Sequence, residues 1–153
     1  MNSAGMVEGT DVEYVCYEAG DPNSDDYKVN WFGTKPKLKL QNAMMNLPYC
    51  SESEDHYVVQ TNACLYYLGR RFGLAGGDDE KVKQAIDQVV AQTMDLRNTS
   101  IRIFYNGVEE GEPLKAHIGS VATHYEKLEG FIAGNNTVYS ASNEITLVSI
   151  LFF

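Results

Sequence analysis

Asn46-Leu-Pro-Tyr49, followed by Gln60-Thr-Asn-Ala-Cys-Leu-Tyr-Tyr-Leu-Gly-Arg-Arg-Phe-Gly-Leu74, is the stretch on which the reading of this chain turns. It reads as strand, tight turn, strand and helix. The polar run Ser51-Glu-Ser-Glu-Asp-His56 fits a hairpin tip. Tyr57-Val-Val59 is a short β-rich run. A helix then opens at Gln60-Thr61, with Thr61 as N-cap or first-turn residue. Ala63, Leu65, Leu68 and Phe72 give it an apolar face, which Tyr66 and Tyr67 widen.

Two features of this stretch carry chemistry. Pro48 cannot donate to a strand ladder, so it belongs at a strand entry. A cis Leu47–Pro48 bond would turn the Leu47 backbone outward as a free edge, although only about 5% of X–Pro bonds are cis and a trans proline is the ordinary reading. Gln60-Thr61 places an amide, a hydroxyl and free backbone N–H groups at one helix N-terminus. That arrangement suits a carboxylate, and it also suits a plain helix cap.

The whole pattern, Asn-Leu-Pro-Tyr, hairpin, then Val-Val-Gln-Thr-Asn-Ala-x-Leu-x-Tyr-Leu-x-Arg-x-Phe-x-Leu, resembles the glutathione-binding half of cytosolic glutathione transferases, the mu class above all. The resemblance covers most of the chain. It implies an α/β plus all-α architecture: a thioredoxin-like N-terminal domain over 1–74, lacking its first strand, followed by an all-helical domain over 79–153. Measured against the family, the chain is expected to be truncated at both ends and less stable for it.

The resemblance also implies a set of roles. The cysteinyl backbone of glutathione would pair with Leu47 as an added strand. Its γ-glutamyl carboxylate would sit at Gln60 and Thr61. Asp95 would reach the γ-glutamyl amine across a homodimer. Trp31, Lys35 and Lys28 would take the glycine end, with Lys28 standing where the family usually has Arg. Lys supplies the charge there without the bidentate fork. Asn46 would line the site, and Tyr105 would face a small hydrophobic electrophile. No residue is assigned as the thiol-activating group, because the family's tyrosine lies on the strand without a counterpart here. Glutathione is the co-substrate and no cofactor is implied.

Composition agrees with a cytoplasmic globular protein. The chain has 153 residues, a formal net charge of −9 and a sequence pI near 4.7. That charge argues against nucleic acid or anionic membrane as partner. No apolar run is long enough to span a bilayer, and Met1–Met6 lacks the basic and apolar regions of a signal peptide. Cys16, Cys50 and Cys64 are scattered and odd in number, which suits reduced thiols.

Elsewhere the pattern predicts a strand over Asp11–Glu18, a loop to Asp26 and a short helical turn over Tyr27–Phe32. The Lys35-Pro-Lys-Leu-Lys39 cluster beyond it reads as a loop. Ala75–Asp79 is the linker. A long helix is expected from Asp79 to about Phe104, with Val82, Ile86, Val89, Val90 and Met94 at helical spacing. A second should run from Leu114 to Phe131 with Leu114, Ile118, Val121, Tyr125 and Leu128 inward. His117 and His124 share one side of it, and a surface or packing role suits them better than metal binding. The tail begins as a capped helix, with Thr146 at N-cap, Ser149 at N3, and Ile145 and Ile150 as a hydrophobic staple. The family usually has Asp at the Ser149 position.

Three functions compete at this level. One is an enzyme that conjugates glutathione to electrophiles in detoxification. Another is a non-catalytic glutathione-binding or dimer-partner module. A thiol-disulfide oxidoreductase is disfavoured, since the chain has no Cys-x-x-Cys.

Overall fold

The computed structural model describes residues 12–151. Its elements are α1 (Val29–Leu38), β1 (Tyr49–Ser53), β2 (His56–Val59), α2 (Thr61–Arg71), α3 (Glu80–Tyr105), α4 (Glu112–Asn135) and α5 (Leu147–Leu151). They form two compact units, the first ending at Tyr67 and the second beginning at Leu68. The division falls inside α2 rather than in the 75–78 linker. The last turns of α2 are tied to the helical unit: a Cβ on Gly69 would lie 2.5 Å from Leu147 Cδ2, and Leu147 N–H donates to the Leu74 carbonyl at 2.9 Å.

In the first unit, β1 and β2 form an antiparallel hairpin with Tyr49 opposite Val59, Cys50 opposite Val58 and Ser51 opposite Tyr57. The register shifts between Ser51 and Ser53, so Glu52 is the extra residue of a bulge. The turn is confined to Glu54-Asp55, and Ser51–Ser53 belongs to the strand rather than to the tip. The expected strand over 11–18 does not form: among its described residues only Val12 makes an isolated bridge, and 13–20 carry no regular structure. Asp11 lies outside the described residues. Alternation alone cannot make a strand, which needs a partner ladder.

The helical turn expected at 27–32 is the start of a full ten-residue helix, and the lysine cluster is its end rather than a loop. Pro36 lies inside α1. Only two residues remain beyond it, so the N–H that proline lacks costs the helix a single terminal bond. Lys35 and Lys37 occupy the last turn, where their charge complements the helix dipole.

The core of this unit is Trp31, Met45 and Val59, with Tyr17, Leu38, Tyr49 and Tyr57 packed around it. The aromatic rings interlock. Tyr17 meets Trp31 edge-on at 5.2 Å, Trp31 stacks on Tyr49 at 6.4 Å, and the Tyr17 and Tyr49 hydroxyls share a 2.8 Å hydrogen bond. On α2, burial falls on Cys64 and Gly69, while Leu68 stays 38% exposed, so the apolar face is rotated from the expected one.

In the second unit, α3 matches its expected span. Asp79 caps it, its carboxylate accepting from the Lys81 and Val82 N–H groups at 2.8 and 3.4 Å. Ala85, Ile86, Val89, Val90 and Met94 are its buried face. On α4 the expected stripe is corrected. Ile118 and Tyr125 point outward at 61% and 51% exposure, whereas His117, Val121, His124 and Leu128 lie on the more buried side. The 3.6-residue period allows either stripe; packing against α3 selects the one with the histidines. There the His124 ring Nδ1 and the Gln92 side-chain amide hydrogen-bond at 2.5 Å.

The α5 cap takes an altered form. Ser149 Oγ accepts from the Thr146 N–H at 3.2 Å, the role the family's acidic side chain would fill. Leu147 and Val148 are buried, while Ile145 and Ile150 remain 43% and 44% exposed. Among the described residues no helix is long and apolar enough to cross a membrane.

Candidate functional site

The turn after α1 decides where the site residues stand. Met45 is 1% exposed and anchors this turn in the first unit's core. Asn42 pins it further: its side-chain N–H donates to the Tyr57 carbonyl at 3.2 Å, and its Oδ1 accepts from the Met44 N–H at 2.9 Å. With Met45 turned in, Asn46 and Leu47 turn out, and both are exposed. The Leu47–Pro48 bond is cis, and β1 starts directly after it. No backbone hydrogen bond among the described residues engages the Leu47 N–H or C=O.

Trp31, Lys35 and Asn46 come together. Trp31 and Lys35 lie one turn apart on α1, with the indole buried and the lysine reaching past it. Lys35 Nζ donates to Asn46 Oδ1 at 3.2 Å and stands 5.5 Å from the Trp31 ring centroid. That is cation–π range, and the ammonium keeps further donors free for an anion. Lys28 is set apart. It sits at the N-cap of α1 in a left-handed conformation (φ 60°), with Nζ 4.5 Å over the Tyr27 ring.

Gln60 and Thr61 open α2. Gln60 has φ 80°, a left-handed backbone that costs a side-chain-bearing residue on the order of 1–3 kcal/mol. Its carbonyl accepts the first helical bond, from Cys64 N–H at 2.9 Å. The Thr61, Asn62 and Ala63 N–H groups meet no partner among the described residues, as is usual for a first helical turn. Exposed Gln60, half-buried Thr61 and these donors form one polar cap. The strained Gln60 backbone is the feature that sequence reading missed; glycine, the usual signal for such a conformation, is absent there.

The Tyr49 hydroxyl, two residues beyond Leu47 in the chain, belongs to the core. Burial first, and then the hydrogen bond with Tyr17, hold the Tyr49 phenol well above its ordinary value. It stays protonated at neutral pH and serves packing.

In the second unit, Asp95 lies on the exposed side of α3, and Tyr105 is the last residue of that helix, 85% exposed. Among the described residues no group of three or more His, Cys, Asp or Glu could hold a metal ion.

Comparison with known proteins shows what the chain as a whole is similar to. No family model matches the chain. Among curated proteins it is 33% identical to glutathione S-transferase Mu 1 of Homo sapiens over 150 residues, covering 97% of this chain and 65% of that one. Glutathione S-transferase Mu 4 of Rattus norvegicus is 31% identical over 150 residues, with the same coverage of 97% and 65%. Glutathione S-transferase Y1 of Cricetulus longicaudatus is 36% identical over 104 residues, 66% of this chain and 45% of that one. The chain thus spans 45% to 65% of the length of these relatives. Among solved structures, a diazinon-metabolizing glutathione S-transferase of the silkworm Bombyx mori superimposes with a TM-score of 0.56 at 20% identity, covering 77% of this chain and 59% of that one. At that identity the likeness speaks for the fold.

The chain is glutathione S-transferase-like in sequence and shares the fold of a solved glutathione S-transferase. Its sequence kinship is mu-like.

Proposed function

We propose that this chain binds glutathione through its first unit and conjugates the thiol to small hydrophobic electrophiles, as a detoxifying, cytoplasmic homodimer. The observation that carries this reading is the cluster of Lys35, Asn46 and Trp31, a cation held by a neutral amide and an indole in a chain of net charge −9. In this reading Lys35 and Trp31 receive the glycine carboxylate, Lys28 adds longer-range charge, and Asn46 orients the lysine. The open Leu47 backbone takes the cysteinyl residue as an added strand. Gln60, Thr61 and the free α2 donors take the γ-glutamyl carboxylate. Asp95 meets the γ-glutamyl amine of a partner subunit, and Tyr105 belongs to the electrophile pocket.

Conjugation forms a carbon–sulfur bond as the thiolate attacks, so the enzyme must favour thiolate over a thiol of ordinary pKa ~8.5. The mu-like kinship of the sequence supports the catalytic reading over a binding module. The test is conjugation of a chromogenic electrophile, followed at several glutathione concentrations. Turnover that saturates with glutathione supports the proposal. Glutathione binding without turnover would leave a binding module in its place.

A further inference from the structure

Cys50 on β1 and Cys64 on α2 are used by none of the steps above, yet the fold brings their side chains together. Cys64 is 4% exposed, and its thiol donates to the Val58 carbonyl at 3.3 Å and faces the Pro48 carbonyl at 3.6 Å. Val58 is the cross-strand partner of Cys50, and Pro48 precedes Cys50 by two residues. The Cys64 sulfur therefore lies under the hairpin at the level of Cys50. After burial, Cys64 is the group that most raises the Cys50 thiol, which makes the two thiols neighbours. Cys16, by contrast, is exposed.

We propose that Cys50 and Cys64 form a dithiol site for a thiophilic acceptor that two sulfurs saturate, of which monosubstituted trivalent arsenic is the model. With Cys64 Sγ set against the carbonyls of Val58 and Pro48, which flank Cys50, the two thiols are placed to share one acceptor atom between β1 and α2. Direct S–S bonding needs a much closer approach, about 2.05 Å. Structural zinc wants four ligands, and among the described residues no third His, Cys, Asp or Glu joins this pair. A trivalent organoarsenical, whose third bond is to carbon, fits a two-sulfur site.

The reaction balances without an oxidant. An arsenic(III) oxide, R–As=O, takes both thiols; two S–H bonds break, two As–S bonds form, and the oxide leaves as water carrying both protons. Arsenic stays trivalent. Burial first, and then Cys64, push the Cys50 thiol up to about 12, so thiolate-seeking alkylators find little to attack at neutral pH. The arsenical brings its own proton acceptor and is not so limited. The inference stands apart from the glutathione reading, since it uses neither Lys35 nor the α2 donors.

The test treats the full chain with one equivalent of phenylarsine oxide. Excess 2-mercaptoethanol then strips monothiol adducts, and the intact mass is read. The expected result is one retained arsenical per chain, released by ethanedithiol. Retention should be unchanged in Cys16→Ser. It should be lost in Cys50→Ala, and in Cys64→Ser, whose hydroxyl can still donate to the Val58 carbonyl; circular dichroism checks that both variants fold. Loss of the adduct to 2-mercaptoethanol in the natural chain, which needs no variant, would overturn the proposal. So would its retention in folded Cys50→Ala.

Discussion

Lys35 Nζ lies 3.2 Å from Asn46 Oδ1, joining the end of α1 to the turn that precedes β1. The pair is exposed, so its bond contributes little to stability. It matters by aiming a cation. A charge-assisted contact to a bound carboxylate is worth roughly 1.5–3 kcal/mol. Lys35→Ala should therefore weaken glutathione binding about tenfold or more and move the melting temperature little. Binding to the natural chain should weaken with added salt, and that dependence should flatten in the variant.

Gln60 is held at φ 80° where a glycine would rest without strain. Gln60→Gly should leave stability unchanged or raise it by up to about 1 kcal/mol, since relieved strain offsets the added freedom of the unfolded chain. The same change should reduce glutathione affinity by removing the side-chain amide. Thermal melting and a binding titration on one sample check both halves.

Ser149 Oγ accepts from the buried Thr146 N–H. Ser149→Ala leaves that donor without its acceptor, a cost of about 1–2 kcal/mol. The expected outcome is a lower midpoint in urea with the slope unchanged.

Alkaline pH should destabilise the first unit. The Cys50 thiol is raised from 9.0 to about 12, and the Tyr49 phenol is raised in the same direction. Both are neutral when protonated, so the unfolded chain loses their protons first. Their contribution is fully present below pH 9, falls as pH rises from there and is lost past the folded values. Urea midpoints should stay level from pH 7 to about 9 and then decline. Cys50→Ala should reduce that decline.

Long, strongly patterned elements were legible in the sequence. Asp79 and the Val82–Met94 spacing mark α3 because a capping carboxylate and an unbroken apolar face act locally. Thr146 and Ser149 mark α5 for the same reason. The hairpin could be read from its polar tip, though the bulge at Glu52 could not. What escaped depended on packing. Pro36 and three lysines look like a loop until Trp31 and Leu38 dock in the core and make a helix worth keeping. Ile118 and Tyr125 outrank His117 and His124 in hydrophobicity, yet α4 turns the histidines inward, where Gln92 bonds one of them. The alternating run 11–18 found no ladder among the described residues. At the candidate site, residue types were legible at Lys35, Asn46 and Gln60. The Lys35–Asn46 bond and the left-handed backbone of Gln60 depend on the folded turn around Met45.

The most direct measurement is a calorimetric titration of glutathione into the full chain and into Lys35→Ala. Saturable binding to the natural chain, weakened about tenfold or more in the variant, is the expected result. No binding to a natural chain shown to be folded would contradict the glutathione reading outright, and equal binding to both would contradict the place given to Lys35.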